Sequence, residues 1–334
     1  MAGVTFRVAF QGELGAYSEE AVLRHWDPDL AQPLPARTCA DVVRAVEEGA
    51  AEYGLLPIEN SLAGSVVATY DALAASRGVA VVAEMVLPIH HCLLALPGAT
   101  LATLASVESH PVALAQCGHF LARHQSIEVR AAYDTAGAAR DVARVGDVSR
   151  AAIAGRGAAE RFGLQILAAD IEDRPDNQTR FLALAREPAV LPPGVPAKTA
   201  LLAFTANSPG SLHELLTPVA RVGLNLAKLE SRPTGEPWTY SFFLEFEHDS
   251  DDHRLARVLS EMQQCARSLR VLGHFERQQL LETGSSGERT RSATPGVGGL
   301  TVEPTNGLTG DTKAGLTDET RCAHADRAVP VAGL

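Results

Sequence analysis

The sequence predicts an α/β protein made of two unlike units in series, and three observations carry that reading. From residue 5 to about residue 186, short β-type runs alternate with stretches of helical spacing, the order that builds a largely parallel sheet flanked by helices. Runs such as VAVVA (79–83) and AAIA (151–154) are apolar at every position, as strands covered on both faces are. Beyond a proline-rich break, the order is strand, helix, strand, strand, helix, strand, which is the ferredoxin-like βαββαβ pattern.

In the first unit, FRVAFQG predicts a strand running into the helix GAYSEEAVLRHW, and EYGLLPI a strand leading to GSVVATYDALAAS. VAVVAEMVLP and HHCLLALP follow as strands, SHPVALAQCGHFLARH as one helix and IEVRAAY as a strand. TAGAARDVARVGD (helix), RAAIAG (strand), RGAAERFG (helix) and the strands LQILAAD and TRFLALAR complete the unit, which spans 5–187. Four prolines in EPAVLPPGVPAK make 188–197 a semi-rigid linker. The second unit, 198–277, reads KTALLAFTAN, SPGSLHELLTPVARVG, LNLAKLES, WTYSFFLEFEH, DDHRLARVLSEMQQCARS and LRVLGHFER. From 281 to 334 the chain turns to Gly, Ser, Thr and Pro with few aromatics, the composition of a disordered tail.

Bulk properties narrow the function. A hydrophobic content of 46% provides for large cores, and a net charge of -11 argues against nucleic acid or anionic membrane as a partner. No apolar run is long enough to span a bilayer, and the N-terminus lacks the pattern of a signal peptide. Five scattered cysteines suit free thiols, so the expected location is cytoplasmic.

The chemistry gathers where strands hand over to helices. In GLLPIENSLAGSV (54–66) an apolar strand ends in Glu59, Asn60 and Ser61 just before a helix. Ser18, Ser65, Ser109 and Thr135 stand as capping residues at four helix starts, with Pro111 at a first helical position. Ligands of open sheets bind outside the carboxyl ends of the strands, where such starts emerge with free N–H groups and partial positive charge. The pattern points to a small polycarboxylate, with Glu59, Asn60, His110, Gln116 and Asn177 near the same ends. Gln116 falls two turns after Ser109 if both lie on one helix. GELGAYS has the wrong glycine spacing for a dinucleotide or Walker-type loop. His90-His91-Cys92 places neighbours on opposite faces of a strand, so no metal site is expected. His119 and His124 read as solvated.

PIENSLAGSV (57–66), SHPVALAQC (109–117), DTAGAA (134–139) and NQTRF (177–181), in that order, resemble the prephenate dehydratase family, and LNLAKLESRP (224–233) resembles its ACT regulatory domain. The resemblance implies a two-lobed catalytic region of the type II periplasmic-binding-protein kind, with the active site in the cleft and an ACT domain behind. It implies conversion of prephenate to phenylpyruvate, carbon dioxide and water in phenylalanine biosynthesis, without a cofactor. Thr179 matches the essential threonine of the TRF motif. Its hydroxyl is too weak an acid to give up a proton unaided, so the expected role is hydrogen-bond donor to the departing hydroxyl, with Glu59 or a water supplying the proton. Glu59 would have to be protonated to act.

The same carry-over makes Asn60 and Ser109 catalytic, and His110, Gln116, Thr135, Asn177 and Arg180 substrate-binding. Strand alternation favours a structural ion pair for Arg180 and a core position for Phe181. Gly210, Leu212, Glu230, Ser231, Arg232 and Pro233 match the surface that binds the effector, L-phenylalanine, between paired ACT domains. The wall motif, commonly Gly-Ala-Leu-Val, reads Gly210-Ser211-Leu212-His213 here and is more polar. A homodimer or homotetramer follows from the resemblance. Arogenate as substrate, and a non-enzymatic carboxylate sensor, are the alternatives.

Overall fold

The structure, a computed structural model, describes residues 4–278, so the tail expected at 281–334 lies outside the described residues. No helix among the described residues is long and apolar enough to cross a membrane.

The first lobe is built from β1 (Phe6–Gln11), α1 (Tyr17–His25), β2 (Ala31–Ala36), α2 (Cys39–Glu47), β3 (Tyr53–Asn60), β4 (Gly64–Ser65), α3 (Val67–Ala75) and β5 (Ala80–Pro88). The second lobe holds β6 (Cys92–Ala95), β7 (Ser106–Ser109), α4 (Pro111–Gln116), α5 (Gly118–Ala122), β8 (Glu128–Ala131), α6 (Thr135–Val145), β9 (Arg150–Ala154), α7 (Arg156–Phe162) and β10 (Gln165–Ala168). The chain then returns to the first lobe as β11 (Gln178–Ala185), giving sheet orders β2-β1-β3-β11-β5 and β10-β6-β9-β7-β8. The catalytic region expected to be two-lobed thus has two lobes, each with its own sheet.

Two segments cross between the lobes, residues 89–91 and 169–177, and they bond to each other. Ile89 N–H donates to the Asn177 carbonyl at 2.9 Å, and Ile171 N–H to the His91 carbonyl at 3.0 Å. The sheets are more mixed than alternation predicts. β11 arrives from the other lobe and inserts antiparallel between β3 and β5, and β6 runs antiparallel to both β9 and β10.

Three departures from the sequence reading have local causes. β2 and α2 have no counterpart in it: β2 is an edge strand carrying Pro33 and Pro35, which edge positions tolerate. α2 starts with a capping box, Thr38 and Asp41 each bonding the other's backbone N–H, and buries Val42, Val43 and Val46. The single helix expected over 109–124 breaks at Cys117 into α4 and α5.

β12 (Pro196–Phe204), α8 (Ser211–Arg221), β13 (Asn225–Pro233), β14 (Tyr240–Asp249), α9 (Leu255–Cys265) and β15 (Ser268–Glu276) form the βαββαβ unit, an antiparallel sheet ordered β13-β14-β12-β15. Period-two alternation splits its core. Leu201, Ala203, Leu244 and Phe246 pack with α8 and α9, whereas Ala200, Leu202, Phe243, Leu272 and Phe275 pack on the first lobe with Tyr70 and Leu73. The Tyr70 and Phe243 rings meet edge to face at 5.1 Å, and the Arg270 guanidinium caps the end of α3 through the Leu73 and Ser76 carbonyls.

Candidate active site

The β3–β11 ladder positions the central residues. Thr179 pairs with Asn60 and Arg180 with Glu59, and the next pair is Phe181 with Pro57, which leaves Ile58 as an extra residue in β3. Such a bulge re-aims the side chains beside it. Phe181 and Ile58 anchor the ladder in the core, at 1% and 0% exposure.

The Asn60–Thr179 rung gathers polar groups from both lobes and the second crossing. Asn60 Nδ2 lies 3.0 Å from Thr179 Oγ1, 2.9 Å from Asn177 Oδ1 and 3.1 Å from the Gln178 carbonyl. Asn60 Oδ1 accepts the backbone N–H groups of Leu62 and Ala63 at 3.1 and 2.9 Å. Gln116, at the end of α4, donates through Nε2 to Asn60 Oδ1 at 3.3 Å, and its Oε1 accepts from Asn177 Nδ2 at 3.1 Å. Asn177 is fully buried. Asn60, Gln116, Asn177 and Thr179, scattered over 120 residues of sequence, thus meet at one point.

Two residues behind them carry no weight in the sequence reading. His91, 2% exposed, has its Nε2 2.9 Å from Gln116 Oε1 and its Nδ1 2.7 Å from the Tyr17 hydroxyl. Burial holds the His91 imidazole below its ordinary range and pushes the Tyr17 phenol well above its own. A usable signal existed: His91 closes a crossing directly before the apolar strand β6, where a buried histidine needs partners.

Other expected residues lie elsewhere. Ser109 ends β7 rather than starting a helix. It is fully buried, and its hydroxyl donates to the Ile153 carbonyl at 2.6 Å, so it does not share a helix face with Gln116. His110 is the true cap of α4, accepting from Val112 N–H at 3.3 Å, because Pro111 occupies the first helical position. Asp134, not Thr135, caps α6 through Gly137 N–H, and burial raises its carboxyl above the usual range. Ser18 and Ser65 do not cap either: α1 starts after Ala16 and α3 after Val66, neither with a side-chain cap.

The starts of α2 and α6 and the loop after β1 do share a cavity of about 670 Å³, bordered by Gly12 and Glu13, by Arg37 and Thr38, and by Tyr133 and Asp134. Glu13 joins the lobes there, accepting from the Tyr133 hydroxyl at 2.8 Å and from Arg140 at 3.0 Å. Apart from this cavity, His90, Asp170 and Glu172 bring ligand-type atoms within 4.8 Å of one another. Asp170 is already paired with Arg156, and Glu172 accepts from His91 N–H and bonds His90.

Glu59 requires a correction. Its neighbour Asn60 faces Thr179, so alternation turns Glu59 to the opposite face, where it pairs with Lys228 of β13 at 2.8 Å. A carboxylate held by an ammonium group is an acceptor, not a proton donor. Arg180, the partner of Glu59 in the ladder, likewise turns away from Thr179. It pairs at 2.7 Å with Glu84 and with the fully buried Glu245 of β14, and Lys198 adds a bond to Glu84 at 2.9 Å. One step along the ladder therefore separates the Asn60–Thr179 cluster from contacts with the second unit.

The ESRP stretch divides in the same way. Glu230 accepts from the Ser65 hydroxyl at 2.7 Å and Arg232 pairs with Asp71 at 3.1 Å, both on the first lobe, while Ser231 and Pro233 are exposed. Gly210 turns the chain into α8 at φ +87°, and Leu212 packs on the inner core of the unit. Ser211 Oγ is bound to the Ala206 and Ser208 carbonyls, so the extra hydroxyl of this wall is spent within its own turn.

Comparison with known proteins agrees with this architecture. The family model described as prephenate dehydratase matches residues 8–189, and that of the ACT domain matches residues 199–263. The chain is 39% identical over 291 residues to "Arogenate dehydratase 1" of Petunia hybrida, covering 82% of this chain and 68% of that protein. A solved prephenate dehydratase in complex with L-Phe, from Arthrobacter aurescens, is 30% identical with a TM-score of 0.76, covering 81% of this chain and 90% of that one. A structure described as a novel type of quorum quenching acylase, GqqA, is 36% identical with a TM-score of 0.74, covering 81% and 98%. The chain belongs to the prephenate dehydratase family, a family of hydro-lyases, and carries a C-terminal ACT domain.

Proposed function

We propose that this enzyme converts prephenate to phenylpyruvate, carbon dioxide and water, and that residues 198–277 regulate it in response to L-phenylalanine. The observation that carries the reading is the Asn60–Thr179 rung. Asn60 Nδ2 occupies the acceptor side of Thr179 Oγ1, and the hydrogen of that hydroxyl meets no acceptor among the described residues. Thr179 is thereby disposed to donate to a leaving hydroxyl. The ring hydroxyl departs as water with a proton taken from solvent water, in place of the role expected of Glu59. The bond to the ring carboxylate breaks to release carbon dioxide, and its electron pair completes the aromatic ring. Positioning of the breaking bonds is worth several kcal/mol, and assistance to the departing hydroxyl about 10²- to 10⁴-fold in rate.

The carboxylates are assigned to the starts of α2 and α6 around the cavity of about 670 Å³ and to His110, with Gln116 fixing the ring and the fully buried Asn177 holding Asn60 and Gln116 in place. Ser109 and Arg180 hold the scaffold rather than the substrate. Control by the ACT domain is supported by the contacts of Lys228, Glu230 and Arg232 with the first lobe. A homodimer or homotetramer in the cytoplasm completes the proposal.

Purified enzyme should produce the alkaline ultraviolet absorbance of phenylpyruvate from prephenate, and addition of L-phenylalanine should change the rate. Faster turnover of arogenate would make arogenate the substrate, and saturable binding without turnover would favour the sensor. The 36% identity to GqqA raises an acylase reading. That chemistry needs a nucleophile beside a base, whereas the only side-chain partner of the Thr179 hydroxyl among the described residues is an amide.

A further inference from the structure

We propose that Tyr17 and His91 are positioning residues of the reaction, the head of a one-directional chain of hydrogen bonds that ends on Thr179 and strengthens its hydroxyl as a donor. The inference rests on the dehydratase reading for its last step, and the direction of the chain rests on hydrogen-bond geometry together with a His91 that burial keeps neutral.

The direction is fixed by two backbone amides. Leu62 and Ala63 N–H groups both point at one oxygen of Asn60, at 3.1 and 2.9 Å, so that atom is Oδ1 and the amide of Asn60 cannot be reversed. Oδ1 has only acceptor capacity, so the Gln116 atom 3.3 Å away must be its Nε2. Gln116 Oε1 is then the atom facing His91 Nε2 at 2.9 Å, and an oxygen without hydrogens can only accept, so His91 carries its proton on Nε2. Neutral imidazole has one N–H, so Nδ1 is left to accept, and the single hydrogen of the Tyr17 hydroxyl is shared between it at 2.7 Å and the His90 carbonyl at 2.9 Å as a three-centre bond.

Every link now runs the same way. Tyr17 donates to His91, His91 to Gln116, Gln116 to Asn60, and Asn60 Nδ2 to Thr179 Oγ1 at 3.0 Å. Each accepted bond polarises the group that donates the next, so such chains are cooperative in a low-dielectric interior. The chain also joins the lobes, because Tyr17, Asn60 and Thr179 belong to the first and Gln116 to the second. Tyr17 is further seated by Gly155, where a β-carbon would strike its ring at 2.9 Å.

A double-mutant cycle in kcat tests this. Tyr17→Phe should lower kcat about 5- to 10-fold with KM changed less than about twofold, since Tyr17 acts through Gln116 and not on substrate. In a Gln116→Leu background, where the chain is already cut, Tyr17→Phe should change kcat less than about twofold. His91→Gln, which offers an amide donor in place of Nε2–H, should retain more kcat than His91→Leu at matched melting temperature. An equal Tyr17→Phe factor in both backgrounds, or unchanged kcat in folded Tyr17→Phe, overturns the proposal. Nitrogen-15 NMR of the histidine side chains reads the chain without any turnover: one imidazole should be fixed as the Nε2–H tautomer and lose that fixity in Tyr17→Phe. A His91 found as the Nδ1–H tautomer refutes the chain even if the enzyme is a dehydratase. If the wild type turns over neither prephenate nor arogenate, the functional reading fails, and the spectrum still decides the chain.

Discussion

Neutralising either member of the Arg180–Glu245 pair between the first lobe and the ACT sheet should cost more than neutralising both. Arg180 and Lys198 face Glu84 and Glu245 with side chains at most 15% exposed, and the four formal charges cancel. Arg180→Met leaves Glu245 without its partner, and stripping one member from a buried pair costs about 3–5 kcal/mol. Glu245→Leu should cost less. Glu245 Oε1 has no hydrogen-bond partner among the described residues, so removing it recovers part of an existing penalty of about 1–3 kcal/mol. We expect a net loss of about 2 kcal/mol.

The double variant keeps the Glu84–Lys198 pair at 2.9 Å and leaves no unpaired charge, so it should fall within about 1.5 kcal/mol of wild type, well below the sum of the singles. Urea unfolding followed by circular dichroism measures all four proteins. Additive losses would refute the reasoning, because they would mean that the charges do not compensate one another.

Other consequences follow from the same packing. Gly273→Ala should cost about 3 kcal/mol in urea unfolding, because a β-carbon there runs into the backbone carbonyl of Val81 where β15 crosses β5. Lys228→Met removes the partner of Glu59 one residue from Asn60; it should leave turnover without effector within about twofold while weakening the proposed response to L-phenylalanine, read from rates over a series of L-phenylalanine concentrations. Asp252→Asn should lower stability at pH 7 by about 1 kcal/mol, since the Arg254 guanidinium and N–H hold the Asp252 carboxyl down at about 2 before α9. A depressed carboxyl contributes its stability above the ordinary aspartate range and loses it as pH falls toward about 2, so the two melting curves should converge on acidification.

Much of the site was legible because NQTRF and PIEN each supply their amide and hydroxyl groups within one strand end. Period-two alternation then separated Thr179 from Arg180 correctly. The same rule applied to β3 would have turned Glu59 away from Asn60, but the attraction of a carboxylate beside an amide outweighed it. Ser109 misled because serine before His-Pro suits a cap as well as a strand end, and only the tertiary bond to the Ile153 carbonyl decides between them. His91 and Tyr17 were out of reach for another reason: 74 residues separate them, and their meeting depends on the crossings that fold one lobe onto the other. The antiparallel entry of β11 was hidden likewise, since strand direction is set by where the chain has been.

Turnover of prephenate by Thr179→Val most directly tests the claim that the Asn60–Thr179 rung performs the chemistry. The substitution keeps the branched shape in β11 and deletes the hydroxyl, both the donor toward substrate and the acceptor of Asn60 Nδ2. We predict a melting temperature near that of wild type and a loss of about 10²-fold or more in phenylpyruvate formation. A folded Thr179→Val enzyme retaining a tenth or more of wild-type kcat would contradict the account.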